Sequence, residues 1–248
     1  VNAADDWRTQ VQRVERVVVL TGAGISAESG VPTFRGEKGL WKQFRPEDLA
    51  SVDAFLSHPE VVWEWYAFRR KLISEVEPND GHRALVRMEQ LIVDFLLITQ
   101  NVDGLHQAAG STKVIEIHGN IRRNHCQQCK APADVDLLRA DGPPTCSQCG
   151  GLVRPSVVWF GEMLPMEAFG AAERASRRCE LFIAVGTSGV VYPAASLPFT
   201  AKSAGAYLLE VNPEPTDLTR YADGVIRAPA SVGLAEIVDA MGSRKDPR

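Results

Sequence analysis

The sequence predicts an α/β fold: a mainly parallel, doubly wound sheet with a smaller second lobe. Three observations carry that prediction. Short apolar runs rich in β-branched residues alternate with helical patterns over most of the 248 residues. The first run feeds a glycine turn, Thr21-Gly22-Ala23-Gly24. Residues 36–78 and 122–155 break the rhythm and read as insertions that together build the smaller lobe.

In chain order, residues 16–20 are the first strand, because Val17-Val18-Val19-Leu20 is a buried-strand run closed by the glycine turn. Residues 36–78 are rich in aromatics and helix formers, hold no clear strand, and include a helical pattern over 62–70. Asn79 and Asp80 can cap a helix over 82–90, and residues 91–99 form the second strand. Asp103 can cap a helix over 104–109 that Gly110 ends, and residues 113–117 form the third strand. A longer helix covers 163–178, and two further strands cover 180–185 and 206–211.

The second insertion holds four cysteines, spaced Cys126-x-x-Cys129 and Cys146-x-x-Cys149 with sixteen residues between the pairs. Two such knuckles close around one tetrahedral Zn²⁺, and four thiolates leave no open position for water. The metal predicted here is therefore structural. Cys179 is left over and reads as a small buried residue. Free thiols with metal-ligand spacing suit a reducing, cytoplasmic setting better than disulfides do. Residues 1–7 lack a basic segment followed by an apolar one, and the longest apolar runs are far too short to span a bilayer. A net charge of −4 gives no bulk electrostatic footprint for nucleic acid. With 45% hydrophobic residues the chain can bury one large core plus a satellite.

In a doubly wound sheet, ligands bind beyond the carboxyl ends of the strands. Those ends read Gly22-Ala23-Gly24-Ile25-Ser26-Ala27, Gln100-Asn101-Val102-Asp103, His118-Gly119, Gly186-Thr187-Ser188 and Asn212. Gly22-x-Gly24-x-x-Ala27 fits a dinucleotide fingerprint, in which missing side chains let a pyrophosphate approach. A tight strand–helix turn would explain the same glycines. The acidic residue that would hold a ribose is missing at its usual distance, since Glu37 comes early and Asp48 late; Ser188 and Asn212 are the alternative candidates. For Asp103 alone a helix cap is the simpler account. Three polar side chains beside Leu96-Leu97-Ile98 point further, to a ligand with both donor and acceptor such as a carboxamide. His118 follows Val114-Ile115-Glu116-Ile117 directly, and a neutral imidazole at that strand end could accept a proton near neutral pH.

Residues 22–35, Thr99-Gln100-Asn101-Val102-Asp103-Gly104-Leu105-His106, Glu116-Ile117-His118-Gly119 and the paired cysteine knuckles together resemble the sirtuin family of NAD-dependent protein deacylases, in its bacterial form. The resemblance runs from about residue 17 to 237. It implies a Rossmann-like sheet of residues 1–35, 79–121 and 156–248, with a smaller domain made of a helical module, 36–78, and a zinc ribbon, 122–155. It also implies that NAD lies between them. A monomer is the expected state. By the resemblance, Gly22, Ala23, Gly24, Ile25 and Ser26 adjoin the pyrophosphate, and Phe34 and Arg35 lie on a loop covering the cofactor. Gln100, Asn101 and Asp103 would line the nicotinamide pocket, with Asn101 and His118 catalytic, and Gly186, Thr187, Ser188, Asn212 and Ala230 would border the adenosine half. Val158, Phe160, Gly161 and Glu162 fall in a segment that pairs with the substrate backbone as an added strand; an ordinary core strand over 157–160 is the plainer alternative. The implied reaction transfers the acyl group of a modified lysine to ADP-ribose and releases nicotinamide.

Tyr66 and Arg69 are three apart in a helical pattern and so share a face, while Arg70 and Lys71 read as solvated charges. The sirtuin subgroup that removes succinyl and malonyl groups carries this Tyr-x-x-Arg pair and a small residue upstream, where Ala50 stands here. The resemblance therefore implies a preference for negatively charged acyl groups over acetyl. Three other readings compete. A dehydrogenase would share the glycine turn, a nucleic-acid-binding ribbon would share the cysteines, and an ADP-ribosyltransferase would share the whole fold.

Overall fold

The computed structural model describes residues 7–33, 45–135 and 142–243. Six strands form one parallel sheet: β1 (Arg16–Thr21), β2 (Asp94–Thr99), β3 (Val114–Glu116), β6 (Leu181–Val185), β7 (Tyr207–Val211) and β8 (Gly224–Ile226). Their spatial order is β3-β2-β1-β6-β7-β8, so the winding reverses between β1 and β6. The predicted doubly wound sheet is present, with its switch point at the glycine turn.

The period of two along each strand divides the core into layers. Val17 and Val19 of β1 face one apolar cluster together with Leu181, Ile183 and Val185 of β6. That side is covered by α1 (Trp7–Val11), α6 (Asp80–Leu91) and α10 (Ala230–Gly242), through Val11, Leu85, Met88, Leu234 and Ile237. Val18, Leu20 and Phe182 face the other cluster, against α8 (Met166–Arg178) and α9 (Leu197–Ser203). Cys179 sits in this second cluster, 7% exposed, as its apolar reading expected.

Element ends differ from the sequence reading for local reasons. Leu91 closes α6 rather than opening β2. The α8 helix begins at Met166 because a residue before proline is pushed out of the α region, and Leu164 precedes Pro165. Strand β8, three residues on the sheet edge, was too short to leave a pattern. Asn79 caps α6 by accepting from Gly81 and His82 N–H, and the His82 ring accepts in return from Asn79 N–H. Gly110 ends α7 (Leu105–Ala109) with φ of 109°, as predicted.

The smaller lobe contains α3 (Pro46–Leu49), α4 (Val52–Ser57) and α5 (Pro59–Ser74), followed in the chain by an antiparallel pair, β4 (Gly119–Cys126) and β5 (Val153–Val157). β4 starts at Gly119, ahead of the insertion boundary read at residue 122. Residues 158–160 lie past the end of β5, so a core strand over 157–160 is replaced by a strand over 153–157. Phe55, Val62, Trp65, Tyr66 and Ile73 of the helices share one core with Ile121, Val157 and Trp159. Arg70 corrects the sequence reading: it is 6% exposed, and donates to Ile121 O at 2.7 Å and Asn124 Oδ1 at 2.8 Å. Four residues from Tyr66, it falls on the same inward stripe and ties α5 to β4.

His82 and His106 lie buried ring to ring, with centroids 4.9 Å apart. Burial lowers His82 to about 4, against the pull of Asp103. Burial, and then the neighbouring His82, lower His106 to about 3. The unfolded chain therefore binds more protons than the folded one below about pH 6.5. This contribution to stability is complete above that pH and declines as pH falls toward the folded values. A urea midpoint that drops between about pH 7.5 and 5 is the expected result; a flat profile over that window would contradict it.

Candidate active site

A cavity of about 790 Å³ lies at the switch point, between the sheet and the smaller lobe. Its walls bring together most of the predicted residues. Gly22, Ala23, Gly24, Gln100, Asn101, Gly186, Thr187, Ser188, Asn212 and Ala230 line it, as do His118, Ala50, Tyr66, Arg69, Val158, Phe160, Gly161 and Glu162. Phe34 and Arg35 lie outside the described residues. Three predicted residues do not line the cavity. Ile25 is fully buried in the core and does not line the cavity. Ser26 and Asp103 stand behind the wall, 1% and 4% exposed. The Asp103 carboxylate accepts from Ser26 Oγ at 2.7 Å and from Leu105 N–H at 2.9 Å; the N-cap of α7 is Gly104, so Asp103 stands one residue ahead of the predicted cap position and makes a local turn bond there.

The glycines have a packing reason of their own. A Cβ on Gly22 would lie 2.8 Å from Gly186 O, and one on Gly24 2.6 Å from Gly186 Cα. Their N–H groups are engaged by Val185 O at 3.1 Å and Gly186 O at 2.8 Å. What the turn offers the cavity is the absence of side chains, beside the ends of β1 and β6. Asn101 donates through Nδ2 to Gly22 O and to Ser26 Oγ, both at 3.1 Å. Gln100 Nε2 donates to Thr187 Oγ1 at 2.9 Å, which joins two strand ends across the switch point.

His118 follows β3 and is held by its backbone neighbours. Its Nδ1 lies 3.0 Å from Gln100 O. A carbonyl only accepts, so Nδ1 carries the proton and Nε2 is left as a base. Burial lowers its pKa, with the Gln100 bond opposing, so the ring is neutral at neutral pH. Gly119 makes this placement possible. Its φ is +80°, and a Cβ there would sit 2.1 Å from Ser156 O. Only glycine lets β4 turn onto β5 directly after the histidine.

Tyr66 and Arg69 enter the cavity from α5, 1% and 8% exposed. Tyr66 Oη accepts from Trp159 Nε1 at 2.8 Å, so its own proton is directed elsewhere. The Arg69 guanidinium lies 5.0 Å from the Trp65 ring centre and 5.9 Å from that of Tyr66. Burial lowers its pKa, opposed by Tyr66 and Asp103.

Val158 N–H donates to His118 O at 2.9 Å, and Phe160 N–H to Ala50 O at 2.9 Å. The predicted substrate-facing segment is thus moored both to the histidine and to the helical module. Sequence reading missed further lining residues: Val102, Val191, Tyr192 and the run 213–216. The last of these follows the end of β7, a position that strand-end logic could have found.

The four cysteine sulfurs lie within 4.8 Å of one another, with Cys126–Cys149 at 3.5 Å and Cys129–Cys146 at 3.7 Å. Four sulfurs about 2.3 Å from one ion would stand about 3.8 Å apart, so the cluster fits a tetrahedral metal. Backbone N–H groups of Gln128 and Gln148 point at Cys126 and Cys146 Sγ, both at 3.4 Å. Among the described residues no helix is long and apolar enough to cross a membrane.

Comparison with known proteins agrees with this geometry. The Sir2 family matches residues 22–193, more than half of the chain. An NAD-dependent protein deacylase of Aquifex aeolicus is 55% identical over 224 residues, covering 90% of this chain and 94% of that protein. A crystal structure of a Sir2 homolog–NAD complex is 44% identical with a TM-score of 0.90, covering 96% of this chain and 93% of the other. A Sir2 protein with a deacetylated p53 peptide and 3′-O-acetyl ADP-ribose is 36% identical with a TM-score of 0.86, covering 96% and 98%. This chain belongs to the Sir2 family.

Proposed function

We propose that this chain is an NAD-dependent protein-lysine deacylase. The observation that carries the reading is His118. Its free Nε2 stands in a cavity walled on one side by the glycine turn and on the other by the segment 158–162. The relatives in complex with NAD, and with a deacetylated peptide beside an acetylated ADP-ribose, support the same chemistry. When bound, NAD would supply the ribose carbon that receives the acyl oxygen as nicotinamide leaves; with one water taken up as the lysine amine departs, the products are nicotinamide, O-acyl-ADP-ribose and free lysine. The chain's residues do the rest. Gly22 and Gly24 leave the turn bare for the pyrophosphate, and Ser188 and Asn212 offer polar groups toward the adenosine end. Gln100 and Asn101 line the cavity with N–H groups tied to Thr187, Gly22 and Ser26, and their carbonyl oxygens would accept from a carboxamide. His118 Nε2 takes the proton of a ribose hydroxyl, which then attacks the acyl carbon. Trp65, Val102, Val157 and Leu164 give the wall an apolar face. The cysteine cluster would hold one structural Zn²⁺.

Mass spectrometry of an acetyl-lysine peptide, with and without NAD, tests this reading. Loss of the acetyl mass with matching nicotinamide release is expected. A peptide that instead gains ADP-ribose would point to the transferase alternative, and unconsumed NAD would overturn both.

Two features favour a finer reading, in which the acyl group is negatively charged. Tyr66 and Arg69 line the same cavity as His118, and the phenol is left to donate because its oxygen already accepts from Trp159. A guanidinium grips a carboxylate through two charge-assisted bonds. Succinyl-lysine is expected to exceed acetyl-lysine by roughly 10- to 100-fold in kcat/KM. Arg69→Met should erase that ratio while leaving deacetylation measurable. Equal turnover of matched succinyl and acetyl peptides by the unaltered protein would leave deacetylation as the main activity.

A further inference from the structure

Arg154, the second residue of β5, is charged and yet only 1% exposed. All five of its guanidinium protons have acceptors. Nε donates to Pro155 O at 3.3 Å, and Nη1 to Gln127 Oε1 at 3.0 Å and Glu162 Oε1 at 2.6 Å. Nη2 donates to Val157 O at 2.7 Å and Glu162 Oε2 at 2.9 Å. Its flat face lies 3.3 Å from the centre of the Trp159 ring. The Glu162 oxygen that it holds also accepts from Trp159 N–H at 2.8 Å. Trp159 in turn donates to Tyr66 Oη.

These contacts make a continuous strut. One end is Gln127, between the first two cysteines of the metal cluster, and the other is the phenol on the cavity wall. Between them the guanidinium fixes both ends of the segment 157–162, through Val157 O and the Glu162 carboxylate. Burial alone would raise the Glu162 pKa, but the Arg154 hydrogen bonds and the Trp159 N–H outweigh it and keep it lowered. A lysine has three protons on one atom and could not span five acceptors in one plane.

We propose that Arg154 is a positioning residue that sets the 157–162 segment for the acyl-lysine peptide and links the cysteine cluster to the acyl pocket. This rests on the deacylase reading. The residue touches neither ligand, and it acts through Glu162 and Trp159. Its effect is one-sided, because the glycine turn and the ends of β6 and β7 have no place in the strut.

The test is equilibrium binding of two probes, an acetyl-lysine peptide without NAD and ADP-ribose, measured by calorimetry. Arg154→Met is expected to weaken the peptide roughly 10- to 100-fold, since small misplacements of a binding segment have effects of that order. ADP-ribose affinity should stay within about twofold, in keeping with that one-sided placement. Equal weakening of both probes, or of neither, would overturn the proposal. Gln127→Ala removes only the knuckle end of the strut and keeps the fold if Arg154→Met does not. It should weaken the peptide about threefold, toward the lower end of the net worth of a single hydrogen bond, and spare ADP-ribose; unchanged peptide binding would equally overturn the idea. If the unaltered protein binds neither probe, the deacylase reading itself fails.

Discussion

His118→Ala should reduce kcat by about 10²- to 10⁴-fold on every acyl-lysine peptide, the usual range for loss of a general base. The ring lies at the end of β3, anchored through Nδ1 to Gln100 O, so its removal leaves the cavity walls in place. ADP-ribose should therefore bind the variant nearly as well as the original. Rate and binding are separate readouts, and near-full turnover by His118→Ala would show that another group takes the proton. The pH profile gives a second check. Burial lowers the pKa of the ring below the usual histidine value. The base is active when unprotonated, so kcat/KM should be level above about pH 6.5 and fall only at lower pH. An acid limb centred above that value would contradict the buried placement.

Metal removal should be as damaging, by a different route. Stripping the cysteine cluster with a strong chelator is expected to unfold residues 122–155 and to abolish deacylation. A structural Zn²⁺ contributes about 10–16 kcal/mol of binding energy to small modules, and that energy is folding energy. The packing explains the dependence, since Cys126, Cys146 and Val153 form a very small apolar cluster with little core of their own. Limited proteolysis should then cut within the ribbon while the six-stranded sheet stays protected. Cys146→Ser should reproduce the pattern with one equivalent less bound metal. A chelated protein with intact ribbon and full activity would remove the metal from this account.

The sheet was legible because its strands are continuous apolar runs, such as 17–20 and 181–185, that few other structures could use. The cavity was legible because strand carboxyl ends announce themselves as polar breaks after such runs. Where the reading missed, tertiary contacts decided. Nothing local distinguishes buried Arg70 from exposed Lys71 until the helix is docked on β4. Arg154 was passed over in the same way, because its acceptors are a distant glutamine, two carbonyls and a glutamate beyond the strand. Asp103 and Ser26 read as site residues in the sequence, and in the fold they are bonded to each other just behind the cavity wall, a matter of one side chain's depth. The glycines of the turn fit the fingerprint, yet their tightest constraint comes from Gly186, more than 160 residues away.

The shared core of the smaller lobe has a consequence for how the chain is made. Helices over 46–74 leave the ribosome long before Ile121, Val157 and Trp159, the residues that cover them. Throughout that interval Phe55, Trp65 and Tyr66 have no lid of their own, and sticky aromatic surface is left open to solvent or to whatever holdase is nearby. Synthesis that stalls before residue 157 would therefore release an aggregation-prone fragment, and completion of the lobe must wait until the second insertion has emerged.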